Sequence, residues 1–221
     1  MNAIVHAAGP SDGDIFERIA AAIEQYGYIV LQGALQEPLI EGLFLQAQQL
    51  DEQQLQRAGI GREQEHQLNR FVRTDKIRWL ERGEIPLADS YLGWLEGLRL
   101  TLNRRLFLGL FDFEGHFARY RQGDYYKRHL DAFRGNTNRV LSTVLYLNPG
   151  WTTADGGELL IYASPDSDLV VERVMPTWGT LVVFLSERFP HEVLPAGRQR
   201  HSIAGWFRVN NSLGDSIDPP R

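Results

Sequence analysis

Apolar residues recur every three or four positions in three stretches of the first half of the chain. Ile15, Phe16, Ile19, Ala20 and Ile23 share one side of a helix over 14–26, with Ser11 or Asp12 as cap and Gly27 as stop. Leu39, Leu43, Ala47 and Leu50 mark a second helix over 38–50 that starts on Pro38. The longest periodic run covers 88–107. There Tyr91, Leu95, Leu98, Leu102 and Leu106 form a core-facing stripe behind a cap at Asp89 or Ser90. Residues 28–31 and 76–80 read as short strands, and 1–10 as a loose terminus. Over 51–75 the periodicity gives way to a Gln-, Glu- and Arg-rich stretch with Gly59 and Gly61. Such a stretch predicts either a solvated connection or a lid over a binding site.

After Phe113 the period changes. Short runs rich in Val, Leu, Ile, Tyr and Phe follow at 116–121, 125–131, 140–148, 158–163, 168–174, 179–185 and 201–209. Turn signals such as Asn148-Pro-Gly and Asp155-Gly-Gly separate them. Helices followed by this many strands predict a mainly β fold with added helices. The specific expectation is a double-stranded β-helix (jelly roll) with the N-terminal helices packed on one sheet. One domain over 1–221 is expected, made of a helical layer at 11–107, a barrel core at 113–209 and a flexible tail at 210–221.

Composition narrows the function classes. A net charge of −5 does not favour general nucleic-acid binding. No run of 18 uncharged apolar residues predicts a membrane span, and the first twenty residues lack a signal-peptide pattern. The chain has no cysteine, which rules out disulfides, thiolate ligands and Cys nucleophiles and fits a cytoplasmic protein. No Gly-x-Ser-x-Gly elbow is present, and Gly156 and Gly157 are not followed by the Gly-Lys-Ser/Thr of a phosphate loop.

The candidate chemistry sits in Tyr-Tyr-Lys-Arg-His-Leu-Asp, residues 125–131. In a strand, His129 and Asp131 point to the same face, offering an imidazole beside a carboxylate. A metal held there needs a third ligand, and His191, in Phe-Pro-His-Glu-Val, is the best candidate. Two histidines and one carboxylate form the facial triad of non-haem Fe(II) oxygenases, with positions left open. Arg200 lies nine residues beyond His191. If a hairpin separates them, its planar fork stands on the neighbouring strand and suits the far carboxylate of 2-oxoglutarate. Ser202 and Trp206 fall on the face of that strand shared with Arg200, and His201 on the opposite face. His6, His66, His116 and His201 are read as non-ligands.

These motifs are similar to those of the Fe(II)- and 2-oxoglutarate-dependent prolyl hydroxylases, in the group of the hypoxia-inducible-factor prolyl hydroxylases and their bacterial relatives. The resemblance is carried by Asp75-Lys-Ile-Arg-Trp, Tyr120 through His129-Leu-Asp131, Arg139, Tyr146-Leu-Asn148, Gly156-Gly-Glu-Leu159, Pro190-His-Glu-Val193, and Arg200 with Trp206. It implies iron on His129, Asp131 and His191. It also implies 2-oxoglutarate on Arg200 and Tyr146, with Tyr120 lining its pocket and Ser202 adding a hydrogen bond. Arg73, Asp75, Tyr126, Arg139 and Trp206 become candidate substrate contacts, with Asp75 and Arg139 pairing when the 51–75 loop closes. The implied activity is hydroxylation of a prolyl C4, with O2 as co-substrate, ascorbate as a candidate reductant, and succinate and CO2 as products. A protein substrate is implied, elongation factor Tu first, acted on by a monomeric enzyme. The alternatives are another protein, free proline, or a non-catalytic 2-oxoglutarate or oxygen sensor. Two departures stand out. The spacing from Tyr120 to His129 is one residue shorter than in the animal enzymes, and Ala204 occupies a position where they carry a threonine hydroxyl.

Overall fold

Helix α1 (Asp12–Gln25) follows β1 (Ile4–His6) and carries the first apolar stripe, with Ile15, Ile19 and Ile23 all buried. It stops where Gly27 takes a φ of 84° and turns its N–H back to the carbonyls of Ala22 and Ile23, at 3.2 and 3.0 Å. Strand β2 (Tyr28–Gln32) comes next, then α2 (Glu37–Gln49), which has proline in its first turn and buries Ile40, Leu43 and Ala47. After β3 (Gln56–Arg57) and β4 (Lys76–Trp79), helix α3 (Pro86–Leu106) buries Tyr91, Leu95, Leu98 and Leu102 completely. Asp89 and Ser90 do not cap α3. The helix begins on Pro86, whose fixed φ and missing N–H suit a first turn. Asp89 instead accepts the Gly83 N–H at 3.0 Å, and the Ser90 hydroxyl donates to the Pro86 carbonyl.

The remaining strands are β5 (Leu110–Tyr120), β6 (Tyr126–His129), β7 (Arg139–Tyr146), β8 (Leu159–Tyr162), β9 (Val170–Val174), β10 (Leu181–Leu185), β11 (His191–Val193) and β12 (Arg200–Val209). This computed structural model describes residues 4–6, 12–57, 73–84, 86–132 and 138–210. The middle of the expected lid, 58–72, and the expected tail beyond Asn210 lie outside the described residues. Residues 4–6 are not a loose terminus: β1 pairs in parallel with β2 at the edge of a sheet. Three residues are too few for a periodic signal.

Among the described residues, eight strands form one sheet in the order β1-β2-β10-β7-β12-β5-β4-β3, and four form a second in the order β6-β11-β8-β9. Alternation along each strand gives the larger sheet two apolar faces. One face carries Leu141, Leu145, Leu181, Val183, Ile203 and Phe207 into the helical layer. The other carries Val182, Phe184 and Tyr146 towards Ile161 and Val193 of the smaller sheet. This is the jelly-roll arrangement with helices on one sheet. Strand β5 begins six residues before its recognisable apolar part because Asp112 and Glu114 occupy inward positions. Arg208 joins both, through Nε to Asp112 Oδ1 at 2.8 Å and Nη1 to Glu114 Oε2 at 3.2 Å. Among the described residues, no helix is long and apolar enough to cross a membrane.

The α3 stripe bears directly on stability. Leu98 is fully buried against the large sheet, whereas Leu100 is 55 % exposed. Leu98→Ala should lower unfolding free energy by about 2–5 kcal/mol in a urea titration followed by tryptophan fluorescence. Leu100→Ala should stay within ~0.5 kcal/mol of the parent.

Candidate metal centre and co-substrate pocket

The two small-sheet strands β6 and β11 run antiparallel with His129 directly opposite His191. Their imidazoles approach to 4.3 Å between ring centroids. Asp131 completes the cluster, but not as a strand residue. Strand β6 ends at His129, and a bend carries Asp131 back under the two rings. His129 Nε2 lies 3.5 Å from Asp131 Oδ1, and His191 Nε2 lies 3.6 Å from Asp131 Oδ2. The three ligating atoms fall within 4.8 Å of one another.

Both rings are turned by their own backbone. His129 Nδ1 lies 2.8 Å from the Lys127 carbonyl, and His191 Nδ1 lies 3.1 Å from the Phe189 carbonyl. A carbonyl only accepts, so this assigns the proton to Nδ1 and leaves each Nε2 lone pair facing the cluster. Burial pushes the His191 pKa down to about 4, so the ring is neutral and able to ligate at physiological pH. Burial alone would raise the Asp131 pKa. The groups around it outweigh burial and hold the carboxyl well below its usual range, in the ionised form a metal needs. Ser142 donates to Asp131 Oδ2 at 2.6 Å and lies 2.9 Å from the Ser186 hydroxyl. Sequence reasoning missed this pair, because small polar residues inside apolar strands carry no signal of their own.

The other end of the pocket is built on β12. Arg200 is 1 % exposed, with its guanidinium 4.7 Å from the Tyr120 ring centre and 4.8 Å from that of Tyr146. Its one hydrogen bond among the described residues is a long one, 3.5 Å from Nη1 to the Ser202 hydroxyl. Among the described residues, Arg200 Nε and the Tyr146 hydroxyl have no partner, and no carboxylate pairs with the guanidinium. Burial raises the pKa of both tyrosines, with the Arg200 charge opposing it, so their hydroxyls stay protonated. A buried cation facing two phenols and a serine is a site shaped for a carboxylate.

His129, Asp131, His191, Arg200, Tyr120, Tyr146, Ser202, Arg73, Tyr126 and Trp206 all line one pocket between the sheets. Asp75 and Arg139 stand behind its wall, and they do not pair with each other. Arg73 grips Asp75 through Nε and Nη2 at 2.8 and 2.6 Å, because the two are alternate residues of one extended segment. Arg139 grips Glu114 at 2.9 and 2.8 Å, because β7 and β5 flank β12, and lies 3.5 Å over the Trp206 ring. The Asp75 side chain is fully buried, so its pair with Arg73 is a wall element rather than a surface latch. Arg73 in turn covers the Tyr126 ring at 4.4 Å, and Tyr126 stacks on His129 at 3.5 Å. His116, expected at a strand start with no role, is mid-strand, buried and part of the lining. Counting back by twos from Tyr120 through Ala118 would have found it.

Two neutral imidazoles and a carboxylate suit Fe(II), and the same donors take Mn(II) as a redox-inert probe. Ser142→Ala removes the donor that fixes Asp131 while leaving the three ligands in place. Mn(II) affinity, read by titration of the free ion's paramagnetic signal, should fall by roughly 10–100-fold. The circular dichroism spectrum should be unchanged.

Comparison with known proteins agrees with this geometry. The model of the 2OG-Fe(II) oxygenase superfamily matches residues 115–208. A crystal structure of a Pseudomonas putida prolyl-4-hydroxylase is 40 % identical, covers 88 % of this chain and 99 % of its own, and superposes with a TM-score of 0.80. A Trichoplax adhaerens prolyl hydroxylase, solved with a peptide of the hypoxia-inducible-factor oxygen degradation domain, is 25 % identical, with 89 and 90 % coverage and a TM-score of 0.78. Two curated relatives match over shorter stretches. A Xenopus laevis prolyl 3-hydroxylase is 35 % identical over 112 residues, 47 % of this chain and 20 % of its own. A Caenorhabditis elegans hypoxia-inducible-factor prolyl hydroxylase is 36 % identical over 87 residues, 38 % of this chain and 12 % of its own. The chain therefore spans a fifth or less of these two relatives. The Pseudomonas match runs through helical layer and strands alike, and on that ground the chain belongs to the 2OG-Fe(II) oxygenase superfamily, as a homologue of its prolyl hydroxylases.

Proposed function

We propose that the protein is a 2-oxoglutarate-dependent prolyl 4-hydroxylase that acts on a protein substrate. The observation carrying this reading is the uncompensated Arg200 guanidinium in the same pocket as the His129, Asp131 and His191 cluster. In this reading the three ligands hold Fe(II) on one face, through His129 Nε2, His191 Nε2 and the Asp131 carboxylate. Arg200 pairs with the far carboxylate of 2-oxoglutarate, and the Tyr146 and Ser202 hydroxyls add hydrogen bonds to it. Tyr120 walls the co-substrate off from water. When bound, iron and 2-oxoglutarate supply O2 activation: the keto acid leaves as succinate and CO2, and one oxygen atom enters a C–H bond of proline. No separate acid or base is required from the chain, whose work is positioning and exclusion of water.

Trp206, held by Arg139, and the Arg73–Tyr126 stack form the wall the prolyl ring would meet. Hydroxylation at C4 is favoured over C3 by the comparisons. The 4-hydroxylase matches 88 % of this chain and the 3-hydroxylase 47 %. A protein substrate is supported by the peptide bound to the Trichoplax relative. Elongation factor Tu is the substrate to which the resemblance with bacterial relatives points. The same reading takes the enzyme as a cytoplasmic monomer with ascorbate as accessory reductant.

Two measurements test it. Anaerobic titration with Fe(II) and 2-oxoglutarate should give the weak visible charge-transfer band of the chelate. Arg200→Ala should lose at least about 100-fold in 2-oxoglutarate affinity, since removing one partner of a buried charge pair costs about 3–5 kcal/mol. A variant with parental affinity would remove the carboxylate site. With O2 and ascorbate, purified elongation factor Tu should gain one oxygen mass on a proline, as 4-hydroxyproline after hydrolysis. Turnover of free proline alone would replace the protein-substrate reading. Binding of 2-oxoglutarate with no succinate release on any substrate would make the protein a sensor.

A further inference from the structure

Strand register orders the pocket into rows. Ser142 of β7, which holds Asp131, pairs with Trp206 of β12. Tyr146 pairs with Ser202, two residues from Arg200. Between these rows lies a middle one, in which Val144 pairs with Ala204 and Ala204 pairs with His116 of β5. Any ligand reaching from the triad to Arg200 crosses this middle row. Val144 and Ala204 offer it only carbon. Of these three residues, His116 carries the side-chain polar atoms; Trp79, its partner on β4, lies beyond it.

His116 is 2 % exposed and lines the pocket; its Nδ1 is buried and, among the described residues, meets no partner in good hydrogen-bond geometry, the Phe117 main chain exerting only the weakest pull on the ring. Trp79 and Trp206 meet its ring edge-on at 5.2 and 5.6 Å, so it is clamped in place. Burial, seconded by the Arg73 charge, pushes its pKa down to about 3, so the ring is neutral. Leaving a buried imidazole nitrogen unpaired costs about 1–3 kcal/mol unless a ligand or water satisfies it.

We infer that His116 is a co-substrate-positioning residue whose Nδ1–H donates a hydrogen bond to the keto-acid end of 2-oxoglutarate. This rests on the proposed cofactor reading. A keto acid offers only acceptors, so Nδ1 must carry the proton. His116 thereby supplies the polar group that Ala204, directly across the register, does not.

The test reads binding rather than turnover. Mn(II) and 2-oxoglutarate are titrated calorimetrically into wild type, His116→Leu and His116→Asn; the asparagine amide can reach the place of Nδ1. Mn(II) affinity alone should be equal in all three. 2-Oxoglutarate affinity should fall roughly tenfold in His116→Leu and recover to within about threefold of wild type in His116→Asn. His116→Met replaces the leucine variant if that chain does not fold. Wild-type affinity in the apolar variant would overturn the assignment. So would a parallel loss of Mn(II) affinity, which would mean that the residue acts through the triad. Unchanged 2-oxoglutarate affinity with less hydroxylation per succinate released would move His116 to the substrate side and equally overturn it. If wild type itself binds no 2-oxoglutarate, the cofactor reading fails first, a distinct outcome.

Discussion

A guanidinium buried without a counter-charge is the constraint on which the pocket depends. Arg200 sits at the start of β12, between two phenol rings, sealed by Gly157, whose φ of 69° and missing side chain let the backbone pass close. A Cβ there would lie 3.3 Å from Arg200 Cδ. Removing such a charge from water costs several kcal/mol, and aromatic faces return only part of it. The chain tolerates this because both faces of the large sheet around it are packed into apolar cores. A small dicarboxylate would supply the missing charge and would be drawn into one orientation, its other end delivered to the His129–Asp131–His191 cluster.

That cluster is organised by groups that never enter the pocket. Two main-chain carbonyls set the imidazole tautomers, and the Ser142 hydroxyl sets the Asp131 carboxylate. Lys127 and Ser142 are fixed within β6 and β7, and Phe189 lies in the segment leading into β11, so the ligands are aimed before any metal arrives. Behind the pocket wall, Arg208 links Asp112 and Glu114, Glu114 holds Arg139, and Arg139 lies on Trp206. A buried ionic chain of this kind adds little net stability compared with an apolar core. Its effect is to fix the indole in one orientation, which packing alone would leave freer.

The sequence makes legible what depends on short-range spacing. Alternation along one strand placed Arg200, Ser202 and Trp206 on one face and His201 on the other, where His201 meets Phe44 of the helical layer at 6.1 Å. Helical stripes in α1, α2 and α3 were visible for the same reason. What stayed hidden depends on partners far along the chain. The expected strand at 116–121 leaves out Asp112 and Glu114, because the arginine that admits them into β5 lies almost a hundred residues later. Asp131 was placed in a strand, since nothing in His-Leu-Asp marks the bend that turns it. Arg73 pre-empts Asp75 by local geometry, which a motif match between Asp75 and Arg139 cannot reveal.

The Arg73–Asp75 pair also bears on how the pocket is walled. Arg73 precedes β4 and reaches the metal cluster through a stack: guanidinium on Tyr126, Tyr126 on His129. Its bidentate grip on a fully buried carboxylate fixes that end of the segment to β4 and to the wall. A surface ion pair would be worth under about 1 kcal/mol and would let go easily. A buried one does not, because separating it leaves two desolvated charges. Arg73 and Asp75 therefore belong to the wall of the site itself, held there as firmly as the strand residues beside them.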